Sequence, residues 1–188
     1  VWLIADHGLV ALDGNIDATN ANGSGGTVDV NAGTLELGAS RNTRVKAAQW
    51  NIATPSFTID RSDVSAFKRS LNAGTSITVD ATGAGGADGS IEVASNVSWR
   101  GPASLTLSAY RSVTIDAGSK IANRSSGNLT LRADASAIDN GGSVVNNGVI
   151  DWSRSTGTVT ALYDMNGSYS PGTLKRNAAW AGAPDSGV

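Results

Sequence analysis

Apolar and polar residues alternate along this chain in very short runs. Val28-Asp29-Val30, Leu35-Glu36-Leu37, Ile77-Thr78-Val79, Ile91-Glu92-Val93, Val97-Ser98-Trp99, Leu105-Thr106-Leu107, Val113-Thr114-Ile115, Leu129-Thr130-Leu131 and Val159-Thr160-Ala161 share one apolar–polar–apolar form. A period of two over so few residues predicts short strands with one buried face. Gly, Asn, Ser and Asp fill the corners between them, as tight turns require. One triplet per turn gives a ladder at Leu3, Val28, Ile52, Ile77, Leu105, Leu129 and Val159, with steps of 24–30 residues. A near-constant step of that size predicts a solenoid.

A leucine-rich repeat would need its Leu/Asn consensus and helical backs, and a hexapeptide helix a strict six-residue period. Both are missing. The fold predicted is all-β, a right-handed parallel β-helix of about seven turns over residues 1–169. Val, Ile, Leu and Ala fit its narrow interior, and Gly and Asn are expected to take positive φ at the corners. Residues 17–30 also align without a gap on 80–93, an offset of 63, as copies of a unit made of Asp, a small-residue loop and a strand. One segment breaks the pattern. Residues 62–72 carry Val64, Phe67 and Leu71 on one helical face, with Ser62 or Asp63 as N-cap and Gly74 as terminator. They predict a short helical insert lying on the side of the rod. Alternation fades after Tyr169, so 170–188 reads as an irregular cover or linker.

Composition narrows the picture further. Ala, Gly, Ser, Thr and Asn supply 104 of 188 residues, while Glu occurs only at Glu36 and Glu92 and Gln only at Gln49. A helical bundle needs such residues on its wet faces, so it is excluded. Net charge is −2, which argues against a nucleic-acid partner. No apolar run reaches the roughly 18 residues of a membrane span. With no cysteine, thiol catalysis, thiolate metal sites and disulfides are all excluded. The chain starts at Val1 without a leader and reads as an internal piece of a longer protein. Val1-Trp2-Leu3-Ile4, its most apolar tetrapeptide, predicts a sticky end face for end-to-end self-association.

Candidate chemistry is sparse. Asp17, Asp60, Asp80, Asp116 and Asp151 recur just after strands. Recurrence predicts corner caps, each carboxylate bonding the backbone that follows it, in preference to a converging catalytic pair. Asp60 and Asp63 flank the helix start, where a carboxylate caps. His7 is the only histidine and supports no triad. The loop from Gly83 to Gly89 lacks the tandem nonapeptides of a calcium β-roll and the Lys of a phosphate loop. Trp50, Trp99 and Trp152, about two turns apart, are either a sugar-stacking stripe or core fillers; Trp99 alternates with Val97, which favours burial. Five Asn-x-Ser/Thr sequons match chance in such a composition. No catalytic, metal or cofactor-binding residue is predicted, and no cofactor.

The strings Leu71-Asn72-Ala73-Gly74-Thr75-Ser76-Ile77-Thr78-Val79, Gly89-Ser90-Ile91-Glu92-Val93, Leu105-Thr106-Leu107-Ser108-Ala109 and Asn128-Leu129-Thr130-Leu131-Arg132-Ala133-Asp134 together resemble the shaft repeats of filamentous-haemagglutinin-like exoproteins. These are bacterial adhesins exported by two-partner secretion. The resemblance spans about residues 60–165. It implies a structural or adhesive shaft segment, extracellular or on the cell surface, and no enzyme. The partners implied are the outer-membrane secretion pore, host or environmental surface glycans, and neighbouring shaft segments. That family's Asn-Pro secretion motifs are absent, which makes this piece shaft and not export signal. The alternative is a carbohydrate-active β-helix enzyme, a polysaccharide lyase or hydrolase.

Overall fold

The structure, a computed structural model, describes residues 1–23, 25–38, 42–136 and 138–180. The chain winds as a parallel β-solenoid with one helix set into it. The first sheet stacks Trp2–Leu12, Thr27–Leu37, Gln49–Thr54, Ser76–Ala81, Leu105–Ala109, Leu129–Arg132 and Val159–Leu162. The second stacks Phe57–Ile59, Ile91–Val93, Val113–Ile115, Val144–Asn146 and Tyr169–Ser170. The third stacks Val97–Trp99, Lys120–Asn123, Val149–Asp151 and Thr173–Lys175, and Asn15–Asp17 pairs with Arg44–Lys46 in a separate ribbon.

Seven stacked strands enclose six steps, so the coil has about six turns where about seven were expected. It also runs on to Lys175, past the boundary expected at 169. Thr173–Lys175 is too short to show alternation, yet it pairs in register with Val149–Asp151, and Leu174 packs on the core. The rest of the expected cover falls partly outside the described residues, at 181–188.

Register builds the core. Val28, Trp50, Ile77, Leu105, Leu129 and Val159 form one inward column, and Val30, Ile52, Val79, Leu107, Leu131 and Ala161 the next. All twelve are buried. Each large aliphatic among them contributes about 1.5–3 kcal/mol. The expected ladder is therefore correct at Val28 and from Ile77 onward, and two residues out at Leu3 and Ile52. Leu3 lies beside Val30, and Trp50 takes the place expected of Ile52. Two residues preserve the face, so the error leaves the burial pattern intact. The offset of 63 does not mark whole turns: it superposes a third-face corner on a first-face one.

The helix spans Arg61–Asn72 and replaces a strand of the third face, so it is part of the wall and not an addition to its side. It sits between Arg44–Lys46 and Val97–Trp99. Phe67 and Leu71 are fully buried and Val64 half-buried, as the spacing predicted. Phe67 meets the Trp50 ring at 5.8 Å and stacks on Phe57 at 6.1 Å. A helix cannot continue a strand ladder, so side chains complete it. Val45 N–H donates to Ser70 Oγ (2.9 Å), Ala47 N–H to Thr75 Oγ1 (3.0 Å), and Arg100 N–H to Asn72 Oδ1 (2.9 Å).

Asparagine acts otherwise than expected. Among the described non-glycine residues only Asp134 and Asp139 have positive φ. Buried Asn123, Asn146 and Asn177 instead bridge the coil with their side chains. Asn123 Nδ2 donates to Gly101 O (3.0 Å), while its Oδ1 accepts from Ser125 N, Gly127 N and Ser155 Oγ. Asn146 Nδ2 donates to Pro171 O (2.6 Å), and Asn177 Nδ2 to Gly157 O (2.8 Å). Each satisfies corner amides and carbonyls that burial would otherwise leave unpaired.

Candidate functional site

Each of the first two turns carries one long strand where later turns carry separate strands in the first and second sheets. Trp2–Leu12 and Thr27–Leu37 are each a single strand of eleven residues, with a register shift between Ala5 and Leu9. Gly33 lies over the shifted segment: a Cβ there would come within 2.7 Å of the His7 carbonyl carbon. The third turn instead bends after Thr54 into Phe57–Ile59. Thr34–Leu37 and Phe57–Ile59 thus part company, and a cleft of about 450 Å³ opens between them. Glu36, Leu37, Phe57, Thr58, Asp60 and Asp63 are among its walls.

Asp60 and Asp63 carry the cleft's distinctive electrostatics. Asp60, and not Ser62 or Asp63, is the N-cap: its Oδ1 accepts from Ser62 Oγ and Ser62 N (both 2.6 Å) and from Asp63 N (3.2 Å). Asp63 Oδ2 accepts from Asp60 N at 3.2 Å and closes a capping box. The Ser62 hydroxyl above all holds the Asp60 carboxyl below its usual range. Burial pushes Asp63 up to about 7, and the Asp60 charge adds to the rise. Two neighbouring carboxyls are thereby set to opposite protonation tendencies.

The other recurrent carboxylates do not gather there. Asp17 Oδ1 accepts from Thr19 N (3.0 Å), and Asp151 Oδ1 from Ser153 N (3.3 Å), so both cap corners as expected. Asp80 and Asp116 make no such side-chain bond. Asp80 stands on the outer face of the first sheet, where burial raises its pKa against the pull of Arg132. Asp116 uses its backbone carbonyl to receive Ser119 N–H. No group of three or more His, Asp or Glu side chains among the described residues could hold a metal ion.

Trp50, Trp99 and Trp152 are all buried, so they form core and not a sugar-stacking stripe. Trp99 and Trp152 meet edge to face at 5.6 Å. The Gly83–Gly89 loop folds over Tyr110, whose ring lies within 3 Å of where a Cβ would stand on Gly83 or Gly89. Asp88 in that loop pairs with Arg111 at 3.2 Å. His7 is exposed in the shifted segment. Trp2 and Ile4 are exposed too; they stand on the outer face of the first sheet's terminal strand, beside Asp29 and Asn31.

The cleft itself escaped the sequence reading. Its trace is a change of parity: Val28, Val30 and Ala32 point inward, then Gly33 intervenes and Leu35 and Leu37 follow on odd numbers. A glycine at such a break signals a bulge. No helix among the described residues is long and apolar enough to cross a membrane. Compared with family models, curated proteins and solved structures, the chain has no significant match in any of the three.

Proposed function

We propose that the chain is a structural segment in the shaft of a large secreted bacterial adhesin of the filamentous-haemagglutinin kind. In this reading it passes an outer-membrane secretion pore unfolded, winds right-handed at the cell surface, and holds binding regions away from the cell. Surface glycans and neighbouring shaft segments or further copies are its partners. The observation that carries the reading is the in-register stack of the first sheet from Trp2–Leu12 to Val159–Leu162. Side chains tie its turns as well: Ser76 Oγ accepts from Ser104 N, Ser104 Oγ from Asn128 N, and Asn128 Oδ1 from Thr158 N. Such a wall gives a fixed rise of about 4.8 Å per turn, which suits a spacer. The strings at 71–79, 89–93, 105–109 and 128–134 that resemble shaft repeats lie on this wall, on its neighbour or just beside them. The test is display. Cells exporting the chain between a two-partner secretion signal and a terminal epitope should present that epitope to antibody while intact. Epitope retained inside, with the chain folded there, would overturn the reading.

A second reading, a carbohydrate-active enzyme, is favoured by one observation: the opposite pKa shifts of Asp60 and Asp63 in one cleft. It requires polysaccharide cleavage that vanishes in Asp63→Asn while the fold survives.

A further inference from the structure

The walls of the cleft are two strand edges with no strand beside them. In a parallel ladder, successive residues of a strand turn their N–H and C=O groups to opposite neighbours. Gly38 N–H donates to Leu12 O (2.8 Å), so even-numbered residues of this stretch serve the first turn and Leu35 and Leu37 face the cleft. Across it, Phe57 N–H donates to Ser90 O and Ala94 N–H to Ile59 O, both at 3.1 Å. That leaves the N–H and C=O of Thr58 turned into the cleft. Among the described residues no strand pairs with either edge. Open edges of this kind are what proteins usually cover.

Two further features say what fits. Leu35 and Phe57, each 8% exposed, give the cleft an apolar floor. Its rim holds Glu36, Asp60 and Asp63, and no Lys or Arg is among the described lining residues. We propose that the cleft receives an extended segment of a partner protein as an added strand, with apolar side chains set down on Leu35 and Phe57 and Lys or Arg side chains set out toward Glu36 and Asp60. Backbone bonds to Leu35, Leu37 and Thr58 supply the affinity, and the alternation and charge supply the selectivity. This goes beyond the shaft reading and does not rest on it.

The probe is a capped octapeptide of alternating Val and Lys, compared with a Val–Glu octapeptide and with a Val–Lys octapeptide N-methylated at alternate residues. The Val–Lys peptide should bind and slow hydrogen exchange at the Thr58 amide. N-methylation should weaken binding about tenfold or more, because it removes edge donors while keeping the charge. Glu36→Lys, a surface change, and Thr58→Pro, which removes an edge N–H that serves no ladder, should each do the same. Four results would overturn the proposal: no binding at millimolar peptide, equal binding of the methylated or the Val–Glu peptide, unchanged Thr58 exchange, or self-association abolished by Glu36→Lys. The last would assign the cleft to a second copy of this chain.

Discussion

The Val45 amide donates to the Ser70 hydroxyl at 2.9 Å, across the seam where a strand meets the helix that replaces its neighbour. That hydroxyl in turn donates to Ala66 O at 2.8 Å inside the helix, and Ser70 is fully buried. One small side chain thus supplies the acceptor that a missing strand would have offered. The Thr75 hydroxyl fills both roles, accepting from Ala47 N–H and donating to Val45 O.

Ser70→Ala should therefore destabilise the chain, although alanine is the better helix former. It strands a buried amide, at a cost of about 1–3 kcal/mol. Urea unfolding measures it. A variant as stable as the parent would show that the seam closes by other means.

Asn123 is the most connected corner residue, with one amide donation and three acceptances. Asn123→Ala should cost at least about 1–3 kcal/mol through the buried groups it leaves unpaired. Asn123→Asp keeps the acceptor but loses the bond to Gly101 and buries a charge, so it should be no better. Thermal melts of the two variants check the order.

Leu129 stacks between Leu105 and Val159 and is fully buried. Leu129→Ala should cost about 2–5 kcal/mol, as for other core leucines. Met165, 91% exposed, provides the contrast: Met165→Ala should change stability by less than about 0.5 kcal/mol. Equal effects would place the core elsewhere.

Asp63 gives a pH signature. Its folded pKa of about 7 lies above the ordinary 3.8, so the folded state binds the extra proton between those values. Its contribution to stability is present below pH 3.8 and is lost as pH rises toward 7. Asp17 and Asp151, both held near 2, act oppositely: theirs is present above 3.8 and lost as pH falls toward 2. Asp63→Asn should flatten the decline between pH 4 and 7 and keep the part of the acid limb that Asp17 and Asp151 set. A decline of unchanged slope in that variant would assign it to another group.

Much of the wall was legible because period-two alternation is read residue by residue. Ile77, Ile91, Leu105, Leu107, Leu129 and Leu131 are all buried where the pattern put them. Register was harder. Trp50 and Ile52 both point inward, so nothing local says which of them continues the Val28 column. The buried asparagines were hidden by their own chemistry: Asn suits a turn and a cross-turn bridge alike, and only tertiary partners decide. The cleft depends on two turns diverging, a relation between segments about twenty residues apart that neither displays alone.

The stacked, in-register coil is tested most directly by distances along one outer column. Ile4, Asn31, Ala53, Asp80, Ser108, Arg132 and Leu162 follow one another turn by turn on the first sheet. Spin labels on cysteines at Asn31 and Arg132, Asn31 and Leu162, and Ile4 and Leu162 span four, five and six steps. At the strand spacing of about 4.8 Å, double electron–electron resonance should give backbone separations of about 19, 24 and 29 Å. Separations that do not grow by one strand spacing per turn would contradict the solenoid, and with it the shaft.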